Sequence, residues 1–168
     1  YYQCQNISPL IIGNVALFIE SNRVRTLGYT LENDGYDGNN VSVFASHLFM
    51  GRQVVEWDYV SETSQVIFSM ADGDAVTMTF VPEHQLFAFT RYQTKGWFES
   101  ICTVKDGGKE AVFAVVLRVI NGEYKSYIER FVINEVVKSK DDDFLFLDCA
   151  SELKSETKVS KISGLDYL

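Results

Sequence analysis

Three stretches of the sequence, residues 15–29, 66–80 and 115–129, carry one pattern: an apolar run, a tight turn and a second alternating run. The turns are centred on Asn22, Asp72-Gly73 and Asn121-Gly122, at intervals of 51 and 49 residues. Asp-Gly and Asn-Gly are strong hairpin signals, because both central residues of a two-residue turn must tolerate positive φ. Regular spacing of hairpins at roughly 40–50 residues is what successive blades of a β-propeller show. A chain built this way is mainly β, and long helices have no place in it.

The sequence between the hairpins completes the units. Runs such as Val54-Val55-Glu56-Trp57-Asp58-Tyr59 and Val76-Thr77-Met78-Thr79-Phe80 alternate, favour β-branched and aromatic residues, and are bounded by Gly, Asn, Asp or Ser. Strands at 53–60, 65–70, 74–81 and 86–92 make one antiparallel four-stranded meander, and strands at 97–105, 109–120, 123–133 and 144–149 make another. A partial unit precedes them, the hairpin of 15–30 followed by a Gly- and Asn-rich loop. One short helix over 41–49, capped by Asn39 or Asn40, has apolar residues at helical spacing. The units divide the chain at 1–50, 51–95 and 96–150, with 151–168 as an exit linker towards a following domain. Two and a half blades do not close a ring of at least about four, so the expected architecture is a partial propeller within a larger protein. Tyr1 in place of Met agrees with that reading. The alternative is a β-sandwich with evenly spaced hairpins.

Composition narrows the function. The chain of 168 residues is 46% hydrophobic, enough for a substantial core, and its formal charge of −8 opposes tight phosphate binding, which depends on Lys and Arg. No apolar run reaches the roughly 20 residues of a membrane helix, so no membrane insertion is expected. Cys4, Cys102 and Cys149 lack zinc spacing and read as reduced, buried residues. His47 and His84 have no nearby Ser or Cys nucleophile and no G-x-S-x-G elbow. The loop from Asn33 fails as a calcium loop, since its twelfth position is Phe44 rather than Glu. Asp141-Asp142-Asp143 reads as a solvated turn. No catalytic residue, cofactor or metal site is expected.

Within 47–131 an ordered set of motifs resembles the tail nozzle proteins of short-tailed phages, also called tail tubular or packaged-DNA stabilisation proteins. They are His47-Leu48-Phe49 with Gly51, Asp72-Gly73, Phe80, Glu83-His84-Gln85, Phe98-Glu99-Ser100, Arg118 and Tyr127-Ile128-Glu129-Arg130. Phe146-Leu147-Asp148-Cys149 and Ile162-Ser163-Gly164-Leu165-Asp166 look like that family's passage out of its repeats. The resemblance implies a virion component, assembled in the bacterial cytoplasm, that forms hexameric rings with copies of itself. Such a ring contacts the adaptor and other tail proteins, extends the DNA channel with transient non-specific contact to DNA, and helps retain the genome. His47, Trp97, Glu99, Arg118 and Glu129 are its expected structural residues. The rival reading is a carbohydrate-binding β module using Tyr29, Tyr36, Tyr92 and Trp97.

Arg118 puts a charge in a stretch, residues 111–120, that otherwise reads as apolar. A two-residue turn at Asn121-Gly122 sets it opposite Lys125, which repels it. Counting back through the Gly107-Gly108 turn sets it opposite Trp97 with Glu99 one diagonal step away, and these are its expected partners.

Overall fold

A computed structural model describes residues 3–32 and 34–131. Its first antiparallel sheet comprises β1 (Leu10–Ile12), β2 (Val15–Glu20), β3 (Arg23–Thr30) and β4 (Gly35–Asn40) in chain order. The second holds β5 (Val54–Val60), β6 (Gln65–Met70), β7 (Ala75–Val81) and β8 (Leu86–Tyr92), again in chain order. In the third, β10 (Lys109–Ile120) is central, flanked by β9 (Trp97–Asp106) and β11 (Glu123–Arg130). The expected fourth strand at 144–149 lies outside the described residues.

Side-chain alternation decides how the sheets stack. On β6 and β7 both faces are buried, which marks the second sheet as a middle layer. Val66, Phe68, Met70, Val76, Met78 and Phe80 point to one side, where Leu17, Ile19 and Val24 of the first sheet meet them. Val60, Ile67 and Ala75 point to the other, against Ile101, Val112, Ala114 and Val116 of the third. The three sheets therefore follow one another in space as they do in sequence.

Three local expectations are corrected. Residues 35–40, expected as a loop, form β4: Tyr29 pairs with Tyr36 and Leu27 with Gly38, so β3 supplies a ladder that overrides the poor strand propensity of Gly and Asn. The helix of 41–49 divides into a 3-10 turn, Val43–Ala45, and one α turn, Ser46–Phe49 (α1). Asn40 does not cap it; its side chain accepts from the Ser42 N–H and hydroxyl, and Ser42 Oγ in turn accepts from Val24 N–H. Cys4 and Cys102, expected buried, are exposed free thiols, and Cys149 lies outside the described residues.

The hairpins carry a further correction. At Asn121-Gly122 both φ angles are positive, 54° and 79°, and the loop has two residues as expected. At Asp72-Gly73 the loop has three, Ala71 to Gly73, because Met70 pairs with Asp74 through Met70 N–H to Asp74 C=O and Gly73 N–H to Met70 C=O. Gly73, at φ 85°, supplies the left-handed residue such a loop needs.

Candidate interaction site between the second and third sheets

Strand β5 has Glu56 and Asp58 on one face, two residues apart, because strand side chains alternate. That face meets β9, the edge of the third sheet, whose outward N–H groups lack a ladder partner from β10. The carboxylates supply one: Glu56 Oε2 accepts from Ile101 N–H at 3.0 Å and Ser100 Oγ at 2.7 Å, and Asp58 Oδ2 accepts from Thr103 N–H at 2.6 Å. Charge-assisted bonds of this kind are stronger than neutral ones. Further along, Glu62 Oε1 accepts from Glu110 N–H, while the Glu110 carboxylate accepts from Ser61 Oγ and Glu62 N–H. Burial pushes the Glu110 carboxyl up, but the hydrogen bonds from Glu62 and Ser61 and the nearby Lys105 charge together hold it below its ordinary range. Glu56 and Asp58, two of the acids behind the net charge, thus bond backbone within the seam, while Glu62 and Glu110 do so at its exposed margin.

At the opposite end the seam is fixed by Phe98, whose N–H donates to Gly73 C=O at 2.9 Å and whose C=O accepts from Ser69 Oγ at 3.2 Å. Its neighbour Trp97 lies over Gly73 so closely that a Cβ there would stand 1.5 Å from the indole Cδ1. Trp97, Glu99 and Tyr124 border an open groove of about 520 Å³, which Ala71, Gly73, Phe98 and Leu117 also line. Trp97 is half exposed and Tyr124 largely so.

Arg118 does not pair with Trp97. A bulge at Glu99 shifts β9 by one residue, so Phe98 faces Val116 and Trp97 faces Leu117. Arg118 keeps Lys125 as cross-strand neighbour, as expected, and sends its guanidinium along the face to Glu129, with Nη1 donating to Lys95 C=O at 3.3 Å. Glu99 instead accepts from Ser126 Oγ at 2.9 Å. Of the five expected structural residues, Arg118 and Glu129 form one contact, Trp97 and Glu99 border the groove, and His47 sits exposed on α1. Sequence reading missed Glu56 and Asp58; the signal was two acids at i and i+2 in an otherwise apolar strand.

A second cluster ties α1 to the second sheet. Arg52 donates to both oxygens of Asp72, to Asp74 Oδ2 and to Leu48 C=O, and Arg91 shares Asp74. The hydrogen bond from Arg52 holds the Asp72 carboxyl below its ordinary range against the opposing effect of burial.

The four aromatics of the carbohydrate reading do not make one platform. Tyr29 and Tyr36 meet edge-on on the outer face of the first sheet, Tyr92 packs on Phe131, and Trp97 lies beyond the second sheet from the first pair. Among the described residues no group of His, Cys, Asp and Glu suits a metal ion, and no helix is long and apolar enough to cross a membrane. The fold defines a mainly β protein of stacked antiparallel sheets. Compared with known proteins, the sequence matches no family model and no curated protein.

Proposed function

We propose that this chain is a structural segment of a phage tail nozzle protein, a blade-like stack that acts through protein interfaces in a ring around a DNA channel. One observation carries the reading: the sheets stack face to face in chain order with a repeating register, as successive propeller blades do. The residues behind the family resemblance supply that stacking. Phe49, Phe80 and Phe98 are buried between sheets, and Ser100 and Arg118 make hydrogen bonds that hold the third sheet. The role is structural, with no catalytic group, and its partners are further copies and adjoining tail proteins.

Electron microscopy of the full-length parent protein tests this. Rings with a central channel are expected; separate particles without a channel overturn the reading. A duplex DNA titration by fluorescence anisotropy bears on the channel role. Weak binding is expected, because a chain of net charge −8 has few cations with which to release counterions.

A further inference from the structure

The register makes equivalent residues in the three sheets countable. Ala16 and Phe18 of β2 occupy the places that Val66 and Phe68 hold in β6, fifty residues on. Beyond the turn the interval grows by the one extra loop residue, so Leu27 matches Met78 and Tyr29 matches Phe80. The next strand keeps step: Tyr36 matches Phe87, and the ring pairs Tyr29–Tyr36 and Phe80–Phe87 have centroids 5.7 and 5.6 Å apart.

These equivalent positions have opposite surroundings. In the second sheet Val66, Phe68, Met78 and Phe80 are at most 1% exposed, because the first sheet and α1 lie on them. In the first sheet the same face is open over much of its area: Ile11 is 69% exposed, Tyr36 76%, and Leu27 and Tyr29 42% each, while Ala16 and Phe18 are half-buried and Glu20 is buried in an ion pair with Arg25. Ile11, Ala16, Leu27 and Gly38 form a continuous row across all four strands of it. The first sheet thus carries a receiving face whose counterpart in the second sheet is covered by the sheet before; in the third sheet the counterpart is covered along β10, where Val116 is buried, while Tyr127 on β11 stays 39% exposed.

The other end of the stack carries the complement. Leu17 and Ile19, which the first sheet lays on the second, match Ile67 and Ser69, and these match Leu117 and Val119 on the outward face of the third. Across the hairpin, Thr26, Thr77 and Ser126 correspond in the same way, a hydroxyl in each. Val119 is 56% exposed and Tyr124 71%.

We infer that the outer face of the first sheet docks the outward face of the third sheet of a second copy, continuing the stack head to tail. The occupant follows from the repeat, since this type of face is covered by that one across the first internal junction and along β9 and β10 at the second. A contact between two different faces is heterologous, so it propagates into a ring or an open array instead of stopping at a symmetric pair. The inference rests on the blade-like reading of the stack. Its test is association of the chain itself, whereas imaging of the parent protein tests the tail role, so the two fail separately.

Leu27→Lys disables the receiving face and Val119→Lys the opposite one, both at exposed positions. By sedimentation velocity the wild-type chain is expected to self-associate as concentration rises, and each variant alone to stay monomeric. An equimolar mixture keeps one good face of each kind and is expected to form dimers and nothing larger. A wild-type chain that is monomeric throughout, a variant that associates like wild type, or a mixture that remains monomeric overturns the assignment. Tyr36→Lys, on the receiving face, replaces Leu27→Lys if circular dichroism shows that variant unfolded.

Discussion

Arg118 sets its Nε and Nη2 on the two carboxylate oxygens of Glu129, at 2.5 and 2.8 Å, although Lys125 is its cross-strand neighbour. By register these two residues stand where the second sheet has Phe68 and Phe80. An ion pair has replaced two aromatic rings on the face that receives the preceding sheet. Removing one partner leaves the other charge poorly compensated in a largely desolvated place; the pair's side chains are 7% and 24% exposed. Arg118→Met is expected to cost about 2–4 kcal/mol in a urea titration, less than a fully buried pair because Glu129 keeps some solvent. Adding Glu129→Leu is expected to recover much of that loss, since an apolar pair of similar volume substitutes for buried ions. A double variant less stable than the single one would contradict this account.

The carboxylates of β5 give a second prediction. Asp58→Ala takes the acceptor from Thr103 N–H on the edge of the third sheet, with an expected loss of about 1–3 kcal/mol. Asp58→Asn is milder, because its amide oxygen still accepts. Hydrogen exchange separates this from general loosening: the Thr103 amide is expected to lose protection first, ahead of amides in the β10–β11 ladder.

Acid pH tests the Arg52 cluster. Because Arg52 lowers the folded Asp72 carboxyl below the ordinary value of 3.8, the unfolded chain binds the proton more readily than the folded one. The pair's contribution is therefore fully present above the unfolded value and is lost as pH falls through the folded one. The melting-temperature gap between wild type and Asp72→Asn is expected to be widest near neutrality and to close below about pH 4. Asp72 is 47% exposed in its side chain, so added salt should narrow the gap as well.

Gly73 couples a loop to an indole. Gly73→Ala places a Cβ both at φ 85° and within the Trp97 ring, so it must strain the loop and displace the ring. The backbone part alone is expected to cost about 1–3 kcal/mol. Trp97→Ala in the Gly73→Ala background removes the collision and leaves the backbone part, so this second substitution should cost much less than it does in wild type. Trp57 stays buried with its indole N–H on Ser8 C=O, so a fluorescence change on Gly73→Ala reports Trp97.

Much of this architecture was legible because strands such as 65–70 and 75–81 are written in β-branched and aromatic residues between unmistakable turns. What escaped was set by partners rather than by local preference. Gly35–Asn40 is a strand because β3 offers it hydrogen bonds, and its composition argues the other way. The bulge at Glu99 moved Trp97 one residue away from Arg118, and an extra residue in one strand leaves no mark in an alternating pattern. Asp72-Gly73 announced a turn correctly, yet the loop takes in Ala71 as well, because Met70 pairs with Asp74. The site residues Glu56 and Asp58 were readable as a pair, but the N–H groups they serve lie more than forty positions away.

Every ladder in the described residues joins strands that are neighbours in sequence, and the sheets pile up in the order in which synthesis delivers them. Such a chain has little long-range searching to do: each hairpin closes locally, and each finished sheet presents a face on which the next settles. The second sheet, greased on both sides, is the exception, since it is most exposed to mispairing in the interval after β8 emerges and before β9 arrives. The side that the third sheet covers carries Glu56 and Asp58 as well as apolar residues, and inward-pointing charges of that kind are one of the devices by which native sheets resist aggregation.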